Sequence, residues 1–221
     1  MVTVASRGGW DTCLVSTWAQ WHEDYDRPGS ALARRLVVVQ MYLRAALDAL
    51  DDPPVVLSLC SGDGRDVIGV MAELPGKIRR AVLVENDPGL AERARRTADD
   101  QGLAHVEVRC QDAGAVISFG DVIPADVLLL CGVLGNIRRR TADSVIGLIP
   151  GLVRPGGYVI WTRGGSDPDR RPEVRRWFRS AGLEEVAFAG HPEPFGVGLN
   201  RLAIAARPSG PLPEILFSFA P

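Results

Sequence analysis

Lysine is almost missing from this 221-residue chain: Lys77 is the only one, and the other 24 of its 25 basic residues are arginine. That bias is expected of GC-rich coding from an actinobacterial type of source and carries no chemistry of its own. Net charge is only −2, so no basic field exists to hold a nucleic-acid backbone or an anionic membrane. The runs Arg138-Arg139-Arg140 and Arg170-Arg171 read instead as solvated helix starts. The four cysteines (Cys13, Cys60, Cys110, Cys131) form no C-x-x-C pair and have no histidine at ligand spacing. This argues against zinc and against a disulfide framework, and a reducing cytoplasm is expected. No apolar run approaches the roughly 18 residues of a membrane span, and no basic-plus-apolar leader is read at the start, so a soluble protein is expected. Internal repeats, low-complexity tracts and an interdomain linker are missing too.

What is present is an alternation of periods. Ser30 as N-cap, with Leu32, Leu36, Val39, Leu43, Leu47 and Leu50 at helical spacing, predicts an amphipathic helix that Asp51-Asp52-Pro53-Pro54 stops. Beyond Pro54, short apolar runs at 55–60, 79–86, 105–110, 125–132 and 157–164 read as strands. Helical stretches follow them, to about Leu74, from Pro88 to about Gly102, across 141–153, and from about Pro172 to Gly182. Strand and helix repeated in this way predict right-handed crossovers and a parallel sheet covered on both faces. The ending differs. Residues 183–190 and 200–207 read as two strands joined by a nine-residue loop without a helix, which should pair antiparallel. The expected fold is α/β, a doubly wound, mostly parallel seven-stranded sheet with an antiparallel last strand. Residues 1–54 would form an N-terminal helical cap, 55–207 the ligand-binding domain, and 208–221 a tail packed through Leu216, Phe217 and Phe219.

The stretch "VVLSLCSGDGRDVIGV" (55–70) reads as a buried strand, a tight turn and the first turn of a helix. Gly62 and Gly64 give the turn room to approach a bound molecule. In a doubly wound sheet such a turn lies at the carboxyl ends of the strands, where ligands bind. A dinucleotide fingerprint G-x-G-x-x-G requires a third glycine where Val67 stands, and no lysine follows to make a P-loop. A nucleoside-bearing ligand without a pyrophosphate remains. Glu85, 23 residues after Gly62 and at the end of the second strand, is suited to accept hydrogen bonds from both hydroxyls of a ribose. Asp112 follows the third strand at the corresponding end and suits the exocyclic amine of adenine.

On these residues the sequence resembles the class I S-adenosylmethionine-dependent methyltransferases. The family pattern V-L-D-x-G-x-G-x-G aligns with "VLSLCSGDG" (56–64), the ribose acid with Glu85 in "LVEND", and the adenine-side residue with Asp112 in "CQDAG". The fourth strand aligns with "ADVLLLCG", the Pro-Gly-Gly entry to the fifth with "LVRPGGYVIWT", and the antiparallel seventh with "NRLAIAAR". The resemblance covers roughly residues 55–207 and implies S-adenosylmethionine as cofactor. It implies contacts from Cys60, Ser61, Gly62, Asp63, Gly64, Glu85, Asn86, Asp112, Ala113 and Cys131. Ser58 stands where the family often has an acid, and Cys60 replaces its first glycine, which moves the methionine contacts elsewhere, to Tyr25 or to Arg34 and Arg35. "WHEDYD" and "CGVLGNI" are similar to segments in a group of actinobacterial methyltransferase-like proteins of unassigned substrate.

Methyl transfer from a sulfonium is an in-line displacement, so the protein mainly aligns reactants and excludes water. A base helps when the nucleophile is a hydroxyl or ammonium group. His105 begins the third strand at the remote end and reads as structural, which leaves His22 and His191 as catalytic candidates. Trp18, Trp21, Tyr25 and Phe195 are candidates to line an apolar acceptor pocket, and Asn136 follows the fourth strand near the transferred methyl. Cys131 has no neighbouring base and reads as packing. The fourth strand lacks both N/D-P-P-Y/F and a Pro-Cys nucleophile, and an acidic metal cluster is missing. The expected reaction is therefore metal-independent methylation of oxygen, nitrogen or carbon on a small organic acceptor, a specialised metabolite. Two alternatives stand beside it: an NAD(P)-binding oxidoreductase and a non-catalytic S-adenosylmethionine-binding module. No nucleic-acid or membrane partner is expected. Oligomeric state stays open, a homodimer included.

Overall fold

A computed structural model describes residues 24–165 and 168–219. Trp18, Trp21, His22 and Cys13 lie outside the described residues. Seven strands form one sheet: β1 (Val55–Leu59), β2 (Arg80–Glu85), β3 (Val106–Cys110), β4 (Ala125–Leu130), β5 (Val153–Gly164), β6 (Leu183–Ala189) and β7 (Phe195–Leu202). Their order is β3-β2-β1-β4-β5-β7-β6. β1 to β5 run parallel, and β7 is antiparallel to both of its neighbours. The expected doubly wound α/β architecture is the one observed.

Among the described residues, five α-helices cover the sheet: α1 (Ala31–Asp48), α2 (Arg65–Glu73), α3 (Pro88–Asp100), α4 (Arg139–Leu148) and α5 (Arg171–Ser180). Local chemistry sets their starts. The Ser30 hydroxyl accepts from the Ala33 amide at 3.0 Å, and the Asp87 carboxylate accepts from the Leu90 amide at 2.9 Å ahead of Pro88. Alternation along the strands then assigns side chains to two cores. Leu57, Leu59, Leu128 and Leu130 pack with Val145, Ile146 and Phe178 under α4 and α5. Val56, Leu83, Val127 and Leu129 pack with Leu43, Val67 and Ala94 under α1, α2 and α3. Each of these Leu, Ile, Val and Phe side chains gains about 1.5–3 kcal/mol on burial, far more than helix propensity supplies per residue. Two-sided burial is what fixes the helices here.

The last strand lies five residues earlier than the sequence pattern suggested. β7 spans Phe195–Leu202 and not 200–207, and "AIAAR" after it is a turn with Ile204 exposed. Its glycines, which read as loop, make room for rings. A Cβ at Gly198 would sit 2.3 Å from the Trp161 indole, which is fully buried and stacked on Phe178 at 5.1 Å. The indole N–H donates to Asn200 Oδ1 at 2.8 Å, which pins the register. β5 also begins earlier, at Val153, because Val153 pairs with Ala125 across an irregularity that the Arg154-Pro155-Gly156 step introduces. The preceding helix ends correspondingly sooner, at Leu148.

The tail returns to the sheet. The Leu216 amide donates to the Gly114 carbonyl at 2.7 Å, Ile215 bridges Ala115, and Phe219 bridges Ile137. Leu216 and Phe217 are buried, whereas Phe219 is half-exposed.

Candidate functional site

The strand order reverses at β1, which has β2 on one side and β4 on the other. Helices leave such a point in opposite directions and open a crevice at the strand ends. The turn after β1 is unusual in that Cys60, Gly62 and Gly64 all take left-handed φ values, of 58°, 60° and 72°. Cys60 is the one non-glycine residue that does so among the described residues, a conformation that costs a side-chain-bearing residue roughly 1–2 kcal/mol. Gly64 has no such freedom to carry a side chain, since a Cβ there would meet Leu83 at 2.7 Å and Ile68 at 2.8 Å. It is the N-cap of α2 and packs the turn against β2.

Around this turn lies a cavity of about 340 Å³. Glu85 faces it. One carboxylate oxygen accepts from the Gly62 amide at 2.8 Å and the other from the Asp87 amide at 2.8 Å. Burial raises the Glu85 pKa, and these amides pull it back. A carboxylate has about four lone-pair sites, so two amides leave capacity toward the cavity. Asp112 lines the wall after β3, its Oδ1 accepting from the Gly114 amide at 2.8 Å. The Ser61 hydroxyl is buried in the wall without a hydrogen-bond partner, an arrangement that a ligand would resolve.

The opposite end of the cavity is charged. Arg35 is buried on α1 and its guanidinium donates to the Tyr25 hydroxyl. Burial raises the Tyr25 pKa, and Arg35 lowers it. Asp66, in the first turn of α2, is buried with its pKa pushed up to about 6, mainly by loss of solvent and also by the neighbouring Asp63, against the Val67 amide and Arg35. Asp63 is clamped by Arg65, whose Nε lies 2.9 Å and 3.0 Å from its oxygens, and Arg65 also reaches Asp26 at 3.0 Å. The Arg65 guanidinium lies over the Tyr25 ring, 4.7 Å from its centroid. Arg65 thus ties the Asp24–Asp26 turn to the glycine turn. Burial drives the Cys60 and Cys131 thiol pKa values upward, so neither is a thiolate nucleophile.

A second cavity of about 300 Å³ adjoins the first, sharing Arg35 and Gly132 with it. Leu32, Asn136, Thr162, Arg163, Pro194 and Phe195 are among its walls. The Asn136 amide donates to the Gly132 carbonyl at 2.6 Å, and the Gly132 amide donates to the Thr162 hydroxyl at 2.8 Å.

Tyr25, Cys60, Ser61, Gly62, Asp63, Glu85, Asn86, Asp112, Ala113 and Cys131, expected from the sequence, all line the first cavity. Gly64 does not; its place is behind the turn. Asn136 and Phe195 line the second cavity. His191 is exposed and lines neither, and Arg34 is engaged by Glu193 at 2.8 Å. Trp18 and His22 lie outside the described residues. Sequence reasoning missed Leu36, Val39, Asp66, Leu90 and Phe219 as wall residues. Asp66 carried one usable signal, an acid that follows the glycine turn on the same helix face as buried Val70. Phe219 carried none, because its place on the cavity wall follows from how the tail returns to the sheet, through bridges at Ala115 and Ile137. Among the described residues, no group of three His, Cys, Asp or Glu side chains could hold a metal ion, and no helix is long and apolar enough to cross a membrane.

No protein-family model matches the chain, and no curated protein matches it. Solved structures do. An RNA methyltransferase from Salinibacter ruber, in complex with S-adenosyl-L-homocysteine, is similar at 24% identity over 78% of this chain and 94% of that one, with a TM-score of 0.54. A 1,6-didemethyltoxoflavin-N1-methyltransferase from Burkholderia thailandensis, with bound 1,6-didemethyltoxoflavin and S-adenosylhomocysteine, is similar at 18% identity, covering 91% of this chain and 93% of that one (TM-score 0.53). An O-methyltransferase family protein from Burkholderia thailandensis is similar at 18% identity, covering 92% and 75% (TM-score 0.59). The chain shares their Rossmann-like fold.

Proposed function

We propose that this chain is an S-adenosylmethionine-dependent methyltransferase acting on a small organic acceptor without a metal. The observation that carries the reading is one cavity at the switch point that joins Glu85 at the end of β2, Asp112 after β3 and the Gly62 turn to a buried cation and a buried acid. In this reading Glu85 holds the ribose hydroxyls and Asp112 the adenine amine. Arg35 with Tyr25 holds the methionine carboxylate, and Asp66 the ammonium. The unsatisfied Ser61 hydroxyl supplies one further hydrogen bond. Bound S-adenosylmethionine supplies an electrophilic methyl group on a sulfonium. The protein's own part is to orient the acceptor in the second cavity and keep water out. His22 and His191 are the bases to test for a hydroxyl or ammonium acceptor. Residues 1–54 serve as the cap, to which Arg35, Leu36 and Val39 belong. The Salinibacter neighbour methylates RNA, but a net charge of −2 here favours a small molecule. An actinobacterial origin and a cytoplasmic location belong to the same reading.

A thermal-shift titration with S-adenosylmethionine, S-adenosylhomocysteine and NAD(P) tests it. Ligand at 100 times its Kd adds about 2.7 kcal/mol, a rise of roughly 5–10 °C for a chain of this size. The methyl donor and its product are expected to give that rise, and Glu85→Ala to lose it. A rise with NAD(P) alone would refute the reading. Transfer of labelled methyl to an acceptor then separates an enzyme from a binding module.

A further inference from the structure

Arg163, on β5, stands between two cavities: the second one described above and a third of about 210 Å³ whose walls include Arg139, Arg170, Val174 and Trp177. Among the described residues, neither is lined by a carboxylate. The acids nearby are already engaged. Glu173 accepts from Arg139 at 3.0 Å and 3.1 Å, Asp169 from Arg171 at 2.9 Å and 3.0 Å, and Glu193 from Arg34 at 3.1 Å and 3.0 Å. Arg163 makes no ion pair among the described residues. Its Nη1 donates to the Leu134 carbonyl, which fixes the guanidinium plane, and its Nε is buried with no acceptor. A buried, unsatisfied N–H on a cation is costly unless something from outside the chain accepts from it. Burial, and after it the nearby Arg170, lower the Arg163 pKa, while Glu173 and Asp169, each engaged by another arginine, raise it in part.

We propose that the second cavity takes a small carboxylic acid as acceptor, with the Arg163 guanidinium holding its carboxylate. This rests on the methyltransferase reading and names the acceptor class for it. A guanidinium that lines the cavity, with Nη1 held by the Leu134 carbonyl and no carboxylate partner among the described residues, suits the planar, two-oxygen edge of a carboxylate. Leu32, Pro194 and Phe195 supply an apolar wall for the rest of the molecule. At about 300 Å³ the space stands at the small end of ligand sites, which run from about 300 to 1,000 Å³. Arg35, the other cation of this cavity, is assigned to the cofactor, which leaves Arg163 for the acceptor.

The test uses the full chain saturated with S-adenosylhomocysteine and matched probes: benzoate against benzamide, hexanoate against hexanamide, and inorganic phosphate. At least one acid is expected to bind tenfold or more tightly than its amide by calorimetry. Arg163→Gln removes that preference, and Arg163→Lys restores part of it. S-adenosylhomocysteine affinity, measured in each variant, stays within about twofold of the parent and reports that the fold is intact. If S-adenosylhomocysteine fails to bind the parent chain, the methyltransferase reading fails. If it binds while neither acid is preferred over its amide, or phosphate alone binds, or Arg163→Gln keeps the preference, the carboxylate proposal is overturned and the methyltransferase reading stands.

Discussion

Asp66→Asn is expected to make the protein without ligand more stable and its cofactor binding weaker, in opposite directions from one substitution. Asp66 is 8% exposed, and its pKa rises from an ordinary 3.8 to about 6. The folded chain therefore holds the proton more tightly than the unfolded chain does. The stabilising contribution is fully present below about pH 4 and is lost as the pH rises through about 6. At about 1.4 kcal/mol per tenfold change in proton affinity, the difference amounts to roughly 3 kcal/mol forfeited at pH 7. Asparagine has the same shape and no charge, so it recovers up to that amount at pH 7 and almost none at pH 4. For a chain of this length a gain of about 3 kcal/mol corresponds to roughly 6–12 °C in Tm. Thermal unfolding of parent and variant at pH 4 and pH 7, without ligand, measures the double difference. An equal effect at both pH values, or a lower Tm for the variant at pH 7, would refute the electrostatic account. Calorimetry supplies the other half. An ammonium group placed against Asp66 favours the ionised form, so S-adenosylhomocysteine affinity should rise with pH through about 6 in the parent and lose that dependence in the variant, which binds roughly 10- to 100-fold more weakly.

Two substitutions test the sheet and the turn. Gly198→Ala drives a methyl group into the Trp161 indole and disturbs its bond to Asn200; urea unfolding should show a loss of about 2 kcal/mol or more, and a neutral result would mean that β7 is not seated as described. At Cys60 the informative comparison is between Gly and Ala, because both delete the thiol and only glycine relieves the φ of 58°. The glycine variant should be more stable by about 1 kcal/mol, and parity between the two would argue that the left-handed turn is wrong.

Much of the fold was legible because burial on both faces of a parallel sheet leaves a strong mark. "VVLSL", "AVLV" and "DVLLL" are apolar at every position or nearly so, and only a strand covered twice needs that. The place of Glu85 on the cavity wall was legible for a related reason: the end of β2 is fixed once the strand is, so Glu85 had one place to go. The charged end of the cavity was harder. Asp66 follows a helix N-cap, where an acid is ordinary for its interaction with the helix dipole, and its burial depends on α1 closing over it. Arg35 shares a helix with exposed Val37 and Met41 and with buried Val39, so which face meets the cavity follows from how α1 docks and not from its periodicity.

The displaced last strand shows where such reading stops. Alternation marks a strand by the side chains that it buries, and β7 is defined partly by side chains that it omits. Gly196 and Gly198 lie where the Phe188 and Trp161 rings cross the strand, and neither ring announces in sequence which neighbour will have to give way. The reading therefore followed the next plausible alternation, "NRLAIAAR", of which only Asn200, Arg201 and Leu202 belong to β7. Asn200 is the informative residue. It is a buried polar side chain in a strand, and it is tolerated because the indole N–H donates to its oxygen while its own amide donates to the Leu183 carbonyl at 3.3 Å. A buried asparagine two residues beyond a glycine, with a lone tryptophan on a neighbouring strand, is a pairing that fixes register through one hydrogen bond, and it becomes visible only when both strands are already in place.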